Sequence, residues 1–339
     1  MPTVNANDGV TLSYRVHGSG PTAILYMHGW AGSGAHFEEV IAELDLNAIR
    51  VITMDFRGHG DSEKAVKPYG LDQIADDVWS VAEAAGAENL VLVGFSMSGK
   101  FAQYVALRRP ERVSGLVLVA GFPAAEMAFP QDVVRDWVSR AGDRERLHEL
   151  IVPFISEPVD APVLDRYVDH AMKVPAAALE CTLQACVRSS FADRVEALTM
   201  PTLIVGGRRD GYFDAEAVAR LARSLPCARG VCLECNHEIE VAASRLAHAR
   251  RNHARAVFIF RHTDAAFMRM RRKVLNTANQ LVNRIDSRDF LIVAVRARVI
   301  VGPTDHRVGL IVASAARLIR LLVLRVKEVR ATNTTERTQ

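Results

Sequence analysis

Ser96 stands in the run Leu90-Val91-Leu92-Val93-Gly94-Phe95-Ser96-Met97-Ser98-Gly99, where an apolar, strand-like segment meets a small-x-Ser-x-small turn and then a helical window. A free serine hydroxyl is a weak nucleophile, and acyl-transfer chemistry needs it held clear of the backbone beside a base. A tight strand-to-helix turn supplies that presentation, pushing the hydroxyl out above a sheet while small flanking residues let strand and helix approach. A serine in an ordinary glycine-rich turn is the plainer alternative, but it would not need a strand before it and a helix after it. Ser98 departs from the usual pattern, which has glycine there. Serine is small enough to leave the turn standing, with a slight tilt of the helix expected. With Ser96 as nucleophile, the backbone N–H of Met97 becomes one donor to a developing oxyanion.

Such a turn needs a sheet beneath it. Short apolar runs at Ala23–Met27, Val51–Met54, Leu90–Val93, Val113–Val119, Thr202–Val205 and Val231–Leu233 read as strands of a parallel sheet buried on both faces. Thr11–His17 alternates polar and apolar before Gly18-Ser19-Gly20-Pro21, which suits an antiparallel edge hairpin. Helical spacing marks Asp72–Ala85, through Ile74, Val78, Val81 and Ala82, and Met97–Arg109, which Pro110 stops. The expected class is α/β, a mostly parallel central sheet flanked by helices. About 80 residues separate the strand ending near Ala120 from the one opening at Pro201–Thr202, too many for one crossover helix. They hold helical patterns at Gln131–Ala141, Arg144–Val152, Val163–Met172 and Ala176–Val187. Residues 122–199 are therefore expected to form a helical cap over the carboxyl ends of the strands, where open α/β sheets bind ligands.

Three segments carry a resemblance: Tyr26-Met27-His28-Gly29-Trp30, Asp55-Phe56-Arg57-Gly58-His59-Gly60-Asp61-Ser62, and Gly94-Phe95-Ser96-Met97-Ser98-Gly99. In order and spacing they resemble the α/β-hydrolase superfamily, and within it the arylesterase and cofactor-free haloperoxidase-like branch. The resemblance covers about residues 5–250 and is specific for fold and apparatus, much less so for substrate. It implies the α/β-hydrolase fold and a triad in the chain order Ser…Asp…His. The acid would be Asp210, in Gly206-Gly207-Arg208-Arg209-Asp210-Gly211 at the end of the strand Leu203–Gly207, with Asp214 as its rival. The base would be His237, in Cys235-Asn236-His237-Glu238-Ile239 after the last strand. The second oxyanion donor would be the N–H of Trp30, whose indole would also wall the acyl pocket. His28 and His59 fall in motifs that serve structure near the nucleophile. No cofactor is implied, and no glycine-rich dinucleotide or phosphate loop is present.

The bulk properties bound the rest. With 339 residues, 49% hydrophobic and 24% charged, the chain has room for one large domain and an appendage. Its net charge of +3 divides into −9 over residues 1–250 and +12 over 251–339. A boundary near 250 is expected, separating a hydrolase domain (1–250) from a basic C-terminal extension (251–339). In the extension Phe290–Val301 reads as a strand and Val308–Val329 as a helix with a narrow basic face. It could dock on an anionic surface, pack on the body, or be out-of-frame read-through of an arginine-rich region. Met1–Asp8 is polar with no apolar run behind it, so no secretory signal is read. A cytoplasmic location with reduced thiols at Cys181, Cys186, Cys227, Cys232 and Cys235 is the expectation. Cys232-x-x-Cys235 lacks a second pair of ligands at comparable spacing, so no metal site is read from it.

The expected reaction is cleavage of a carboxylic ester of a small apolar substrate through an acyl-enzyme. Thioesters, lactones and activated C–C bonds yield to the same groups. Perhydrolysis, with peroxide replacing water, is a close variant, and a ligand-binding signalling protein of the same fold with little turnover is a different class of reading. A purely structural relative is disfavoured, because all three triad residues stand in register. Trp30, Phe122, Phe129 and Trp137 are the candidate pocket residues, with Met127, Phe154 and Phe191 as further aromatic or apolar candidates. The expected partner is a small ester-type molecule, with no nucleic acid expected for the body.

Overall fold

The computed structural model describes residues 1–64, 69–154, 161–233 and 235–237. Within them lie β1 (Thr3–Asn5), β2 (Thr11–His17), β3 (Thr22–Met27), β4 (Ile49–Met54), β5 (Leu90–Phe95), β6 (Val113–Val119), β7 (Thr202–Gly207) and β8 (Ala228–Leu233). They form a sheet in the order β1-β2-β4-β3-β5-β6-β7-β8. β2 is antiparallel to both of its neighbours, β1 and β4, and every other pairing is parallel. The helices are α1 (Glu38–Ile41), α2 (Leu71–Ala84), α3 (Met97–Arg108), α4 (Gln131–Ser139), α5 (Arg144–Ile151), α6 (Ala161–Met172), α7 (Ala176–Arg188) and α8 (Ala215–Ser224).

Strand side chains alternate between faces, and here both faces are covered. Leu25 and Met27 of β3, Leu90 and Leu92 of β5, and Leu116 and Leu118 of β6 pack with Trp79 of α2 and Phe101 and Val105 of α3. On the other face Ile24, Tyr26, Val91, Val93, Phe95, Val117 and Val205 pack with Phe37, Ile41 of α1 and Phe213. Strands buried on both sides must be apolar at successive positions, which is why they read as continuous runs.

Thr11–His17 departs from the edge-hairpin expectation. β2 is antiparallel, but β1 is the outer strand and β2 lies between it and β4. After β2 the chain does not turn back to pair. Ser19 and Gly20 donate to the Leu46 and Ile49 carbonyls at 3.2 and 3.3 Å, which carries the chain past β4 to β3. β1 and α1 were not expected, since three- and four-residue elements are too short to show a period. α8, ten residues long with Val218 and Leu221 buried at i, i+3 spacing, was not expected either.

Between β6 and β7 run α4, α5, α6 and α7, with packing of their own. Leu147, Val163, Leu164, Val168 and Leu179 form one apolar cluster, and Val134, Leu183 and Val187 form another. The strand and helix expected in 251–339 lie outside the described residues. Among the described residues no helix is long and apolar enough to cross a membrane, and no group of three or more His, Cys, Asp or Glu side chains is arranged to hold a metal ion.

Candidate active site

Ser96 occupies the single position between β5 and α3, with φ 53° and ψ −119°. A non-glycine residue held at such angles costs about 1–3 kcal/mol, so the surroundings must impose them. The Ser96 N–H donates to the Val119 carbonyl of β6 (2.8 Å), while its own carbonyl accepts from the N–H groups of Gly99 (2.9 Å) and Phe122 (3.1 Å). Absence of side chains permits the approach: a β-carbon on Gly94 would stand 2.3 Å from the Ser98 carbonyl oxygen, and one on Gly99 would stand 2.4 Å from the Gly121 Cα. Ser98, the departure from the motif, is wholly buried. Its hydroxyl donates to the Met27 carbonyl at 2.6 Å and accepts from the Phe95 N–H at 2.9 Å. It thus ties the turn to β3.

His237 comes to this turn from beyond β8. Its Nε2 lies 2.8 Å from Ser96 Oγ and its Nδ1 lies 2.8 Å from Asp210 Oδ2. An ionised carboxylate only accepts, so Nδ1 carries the proton and Nε2 accepts from the Ser96 hydroxyl. The imidazole is buried, with Phe95, Phe213 and Phe154 ring centroids 5.2, 5.4 and 5.5 Å away. Asp210 follows β7 and is also buried. Its other oxygen, Oδ1, accepts the N–H groups of Tyr212 (2.8 Å) and Phe213 (3.1 Å). Burial acts to raise its pKa, but the His237 bond and charge and these two N–H donors outweigh it and hold the carboxyl below the ordinary value. Asp214, the rival, instead caps α8, accepting from the N–H groups of Glu216 and Ala217. The structure brings Asp210, and not Asp214, to His237.

His28 and His59 are both buried and belong to the scaffold around this turn. His28 Nε2 accepts the Phe56 N–H at 3.1 Å and Nδ1 donates to the Gly29 carbonyl at 2.8 Å, joining the loop after β3 to the end of β4. Burial lowers its pKa to about 4, and that of His59 to about 3.

A cavity of about 880 Å³, mouth included, opens onto Ser96 and His237. Trp30, Phe122, Phe129 and Trp137 all line it, and so does Met97. The Trp30 indole N–H donates to the Leu179 carbonyl of α7 at 2.9 Å, and its ring lies 5.4 Å from that of Trp137. Met97 is the first residue of α3, where an N–H has no acceptor within its own helix. Phe154 lines the cavity as well, whereas Phe191 packs against Tyr104 in the main core, 5.1 Å between rings. Met127 is not among the lining residues; its N–H bonds the Val187 carbonyl. Leu147, Leu150 and Ile151 also line the cavity and went unread, although their i, i+3, i+4 spacing on α5 marks one face. Tyr212 and Phe213, directly after Asp210, line it too; their aromatic character beside the acid was the sequence signal for them.

A family model described as the alpha/beta hydrolase fold matches residues 22–154. The chain is 29% identical over 240 residues to the AB hydrolase superfamily protein YisY of Bacillus subtilis, covering 66% of this chain and 86% of that protein. It is 29% identical over 226 residues to a non-heme haloperoxidase of Rhodococcus erythropolis, covering 62% and 82%. An esterase structure from Exiguobacterium antarcticum superposes with a TM-score of 0.67 at 20% identity, covering 75% of this chain and 99% of that one. A bromoperoxidase from Bacillus anthracis superposes equally well at 22% identity, over 74% and 98%. The chain has the α/β-hydrolase fold, and it resembles the haloperoxidase and esterase branch.

Proposed function

We propose that the chain is a serine hydrolase that cleaves carboxylic esters of small apolar acids through an acyl-enzyme. The observation that carries this reading is the unbroken hydrogen-bonded chain from Ser96 Oγ through His237 to Asp210, opening onto an apolar cavity. His237 Nε2 takes the Ser96 proton as Oγ attacks the acyl carbon, and returns it to the leaving alcohol oxygen. Asp210 keeps the imidazole in the tautomer that can accept at Nε2 and stabilises the imidazolium. The N–H groups of Met97 and Trp30 receive the charge developing on the carbonyl oxygen. Water, activated by the same imidazole, then releases the acid. The α4–α7 insertion serves as the cap, and its aromatic side chains favour uncharged acyl groups.

The test is incubation with a fluorophosphonate and with p-nitrophenyl acyl esters, beside Ser96→Ala. Labelling and turnover are expected for the natural chain and absent from the variant; equal labelling and turnover by both would overturn the serine mechanism. The relatives named as haloperoxidases favour one second reading, in which peroxide replaces water at the acyl-enzyme. Peracid formation on adding hydrogen peroxide to the ester assay, lost in the same variant, would support it.

A further inference from the structure

Lys100 is a fully buried cation that takes no part in the chemistry above. It lies on α3 one helical turn beyond Ser96, with its side chain shut away from solvent. Its ammonium donates to two backbone carbonyls, Ala125 and Ser189, each at 2.8 Å. Those carbonyls sit on opposite sides of the insertion: Ala125 lies between β6 and α4, and Ser189 directly follows α7. The two segments are also bonded to each other. Met127 N–H donates to Val187 (2.9 Å), and Phe191 N–H donates to Ala124 (3.1 Å). Together they form a neck through which the chain enters and leaves the α4–α7 insertion, and Lys100 is bonded to both sides of it.

A buried ammonium is costly unless its donors are satisfied, and an apolar side chain of the same length would fill this space without that cost. The charge is therefore informative. A point charge with several donors can hold two carbonyls from separate segments at once, which a methylene chain cannot. The groups that face it are Cys186 of α7 and Glu126 of the neck, with burial the chief influence lowering its pKa. Residues beyond the neck supply much of the cavity wall, including Phe129, Trp137 and Leu183.

We propose that Lys100 is a positioning and specificity-determining residue, fixing the neck of the insertion relative to the nucleophile turn so that the aromatic wall meets large acyl groups. The assignment of acyl specificity rests on the ester-hydrolase reading; the clamping of the neck does not. Two variants test it. Lys100→Met keeps the length and removes the donors, and Lys100→Arg keeps a charged donor. In hydrogen–deuterium exchange, Lys100→Met is expected to lose protection in residues 122–129 and 185–191 while β3, β5 and α2 keep theirs. In p-nitrophenyl ester kinetics it is expected to lower the ratio of kcat/KM for phenylacetate over acetate by about tenfold, mainly through KM. Lys100→Arg is expected to recover part of both effects.

Unchanged exchange at the neck with an unchanged ester ratio would overturn the proposal. So would loss of protection or of folding throughout the chain in both variants, since Lys100 would then be a general support of the core. If the natural chain shows no fluorophosphonate labelling and no ester turnover, the hydrolase reading fails on its own, and the exchange result still decides the clamp.

Discussion

At the scale of single residues, the two aspartates after β7 separate a role in charge placement from a role in capping. Asp210 meets the Nδ1 of His237, whereas Asp214 holds the first turn of α8. On the proposed mechanism Asp210→Asn is expected to lower kcat by up to about 10⁴, because the imidazole would be held in the wrong tautomer. Asp214→Ala is expected to leave kcat close to that of the natural chain and to lower stability by about 1 kcal/mol through loss of the cap. Steady-state kinetics and chemical denaturation of the two variants check both statements. A large loss of kcat in Asp214→Ala alone would reverse the assignment. The family resemblance implies His237 as the base, and the structure brings it within hydrogen-bonding distance of both Ser96 and Asp210.

At the scale of elements, the β5–α3 turn depends on contacts made by residues that carry no chemistry. Ser98, where a slight tilt of the helix is expected, has its hydroxyl bonded to both β3 and β5. Ser98→Ala would leave the Phe95 N–H buried without that acceptor, at a cost of about 1–3 kcal/mol. Gly99 lies close against the Gly121 backbone. Gly99→Ala forces its new methyl against the Gly121 backbone and is expected to destabilise by about 1–3 kcal/mol or more. Both losses should appear as lower denaturation midpoints. A Gly99→Ala protein as stable and active as the natural chain would contradict the packing described. The identity of this turn was legible because strand, small residues and serine lie within ten consecutive positions. The purpose of Ser98 was not, since its partner Met27 is 71 residues away.

At the scale of the whole molecule, buried neutral histidines make folding sensitive to acid. His28 and His59 have pKa values lowered to about 4 and about 3, against an ordinary 6.5. Unfolding returns both to the ordinary range, so below pH 6.5 the unfolded chain binds protons that the folded one refuses. Stability therefore falls as pH drops from about 6.5 towards 4 and levels only near 3, with a total loss on the order of a few kcal/mol. Asp210 acts at the acid end: its carboxyl is held below its ordinary 3.8, so its contribution is present above that pH, begins to be lost near it and is gone only below the folded value. Denaturation midpoints measured across pH 4–8 check this, and a flat profile would refute it. What the sequence determined by itself was local. The apolar runs, the Ser96 turn and the order of the motifs lie in short windows where strand burial and turn geometry leave direct marks. Tertiary structure decided what no window contains: the contact of Asp210, and not Asp214, with His237, the place of β2 inside the sheet, and the closing of α5 and the Asp210 loop around one cavity. It also decided the burial of Lys100 beneath the insertion neck. Those outcomes depend on residues far apart in the chain, and only packing brings them within a few ångströms.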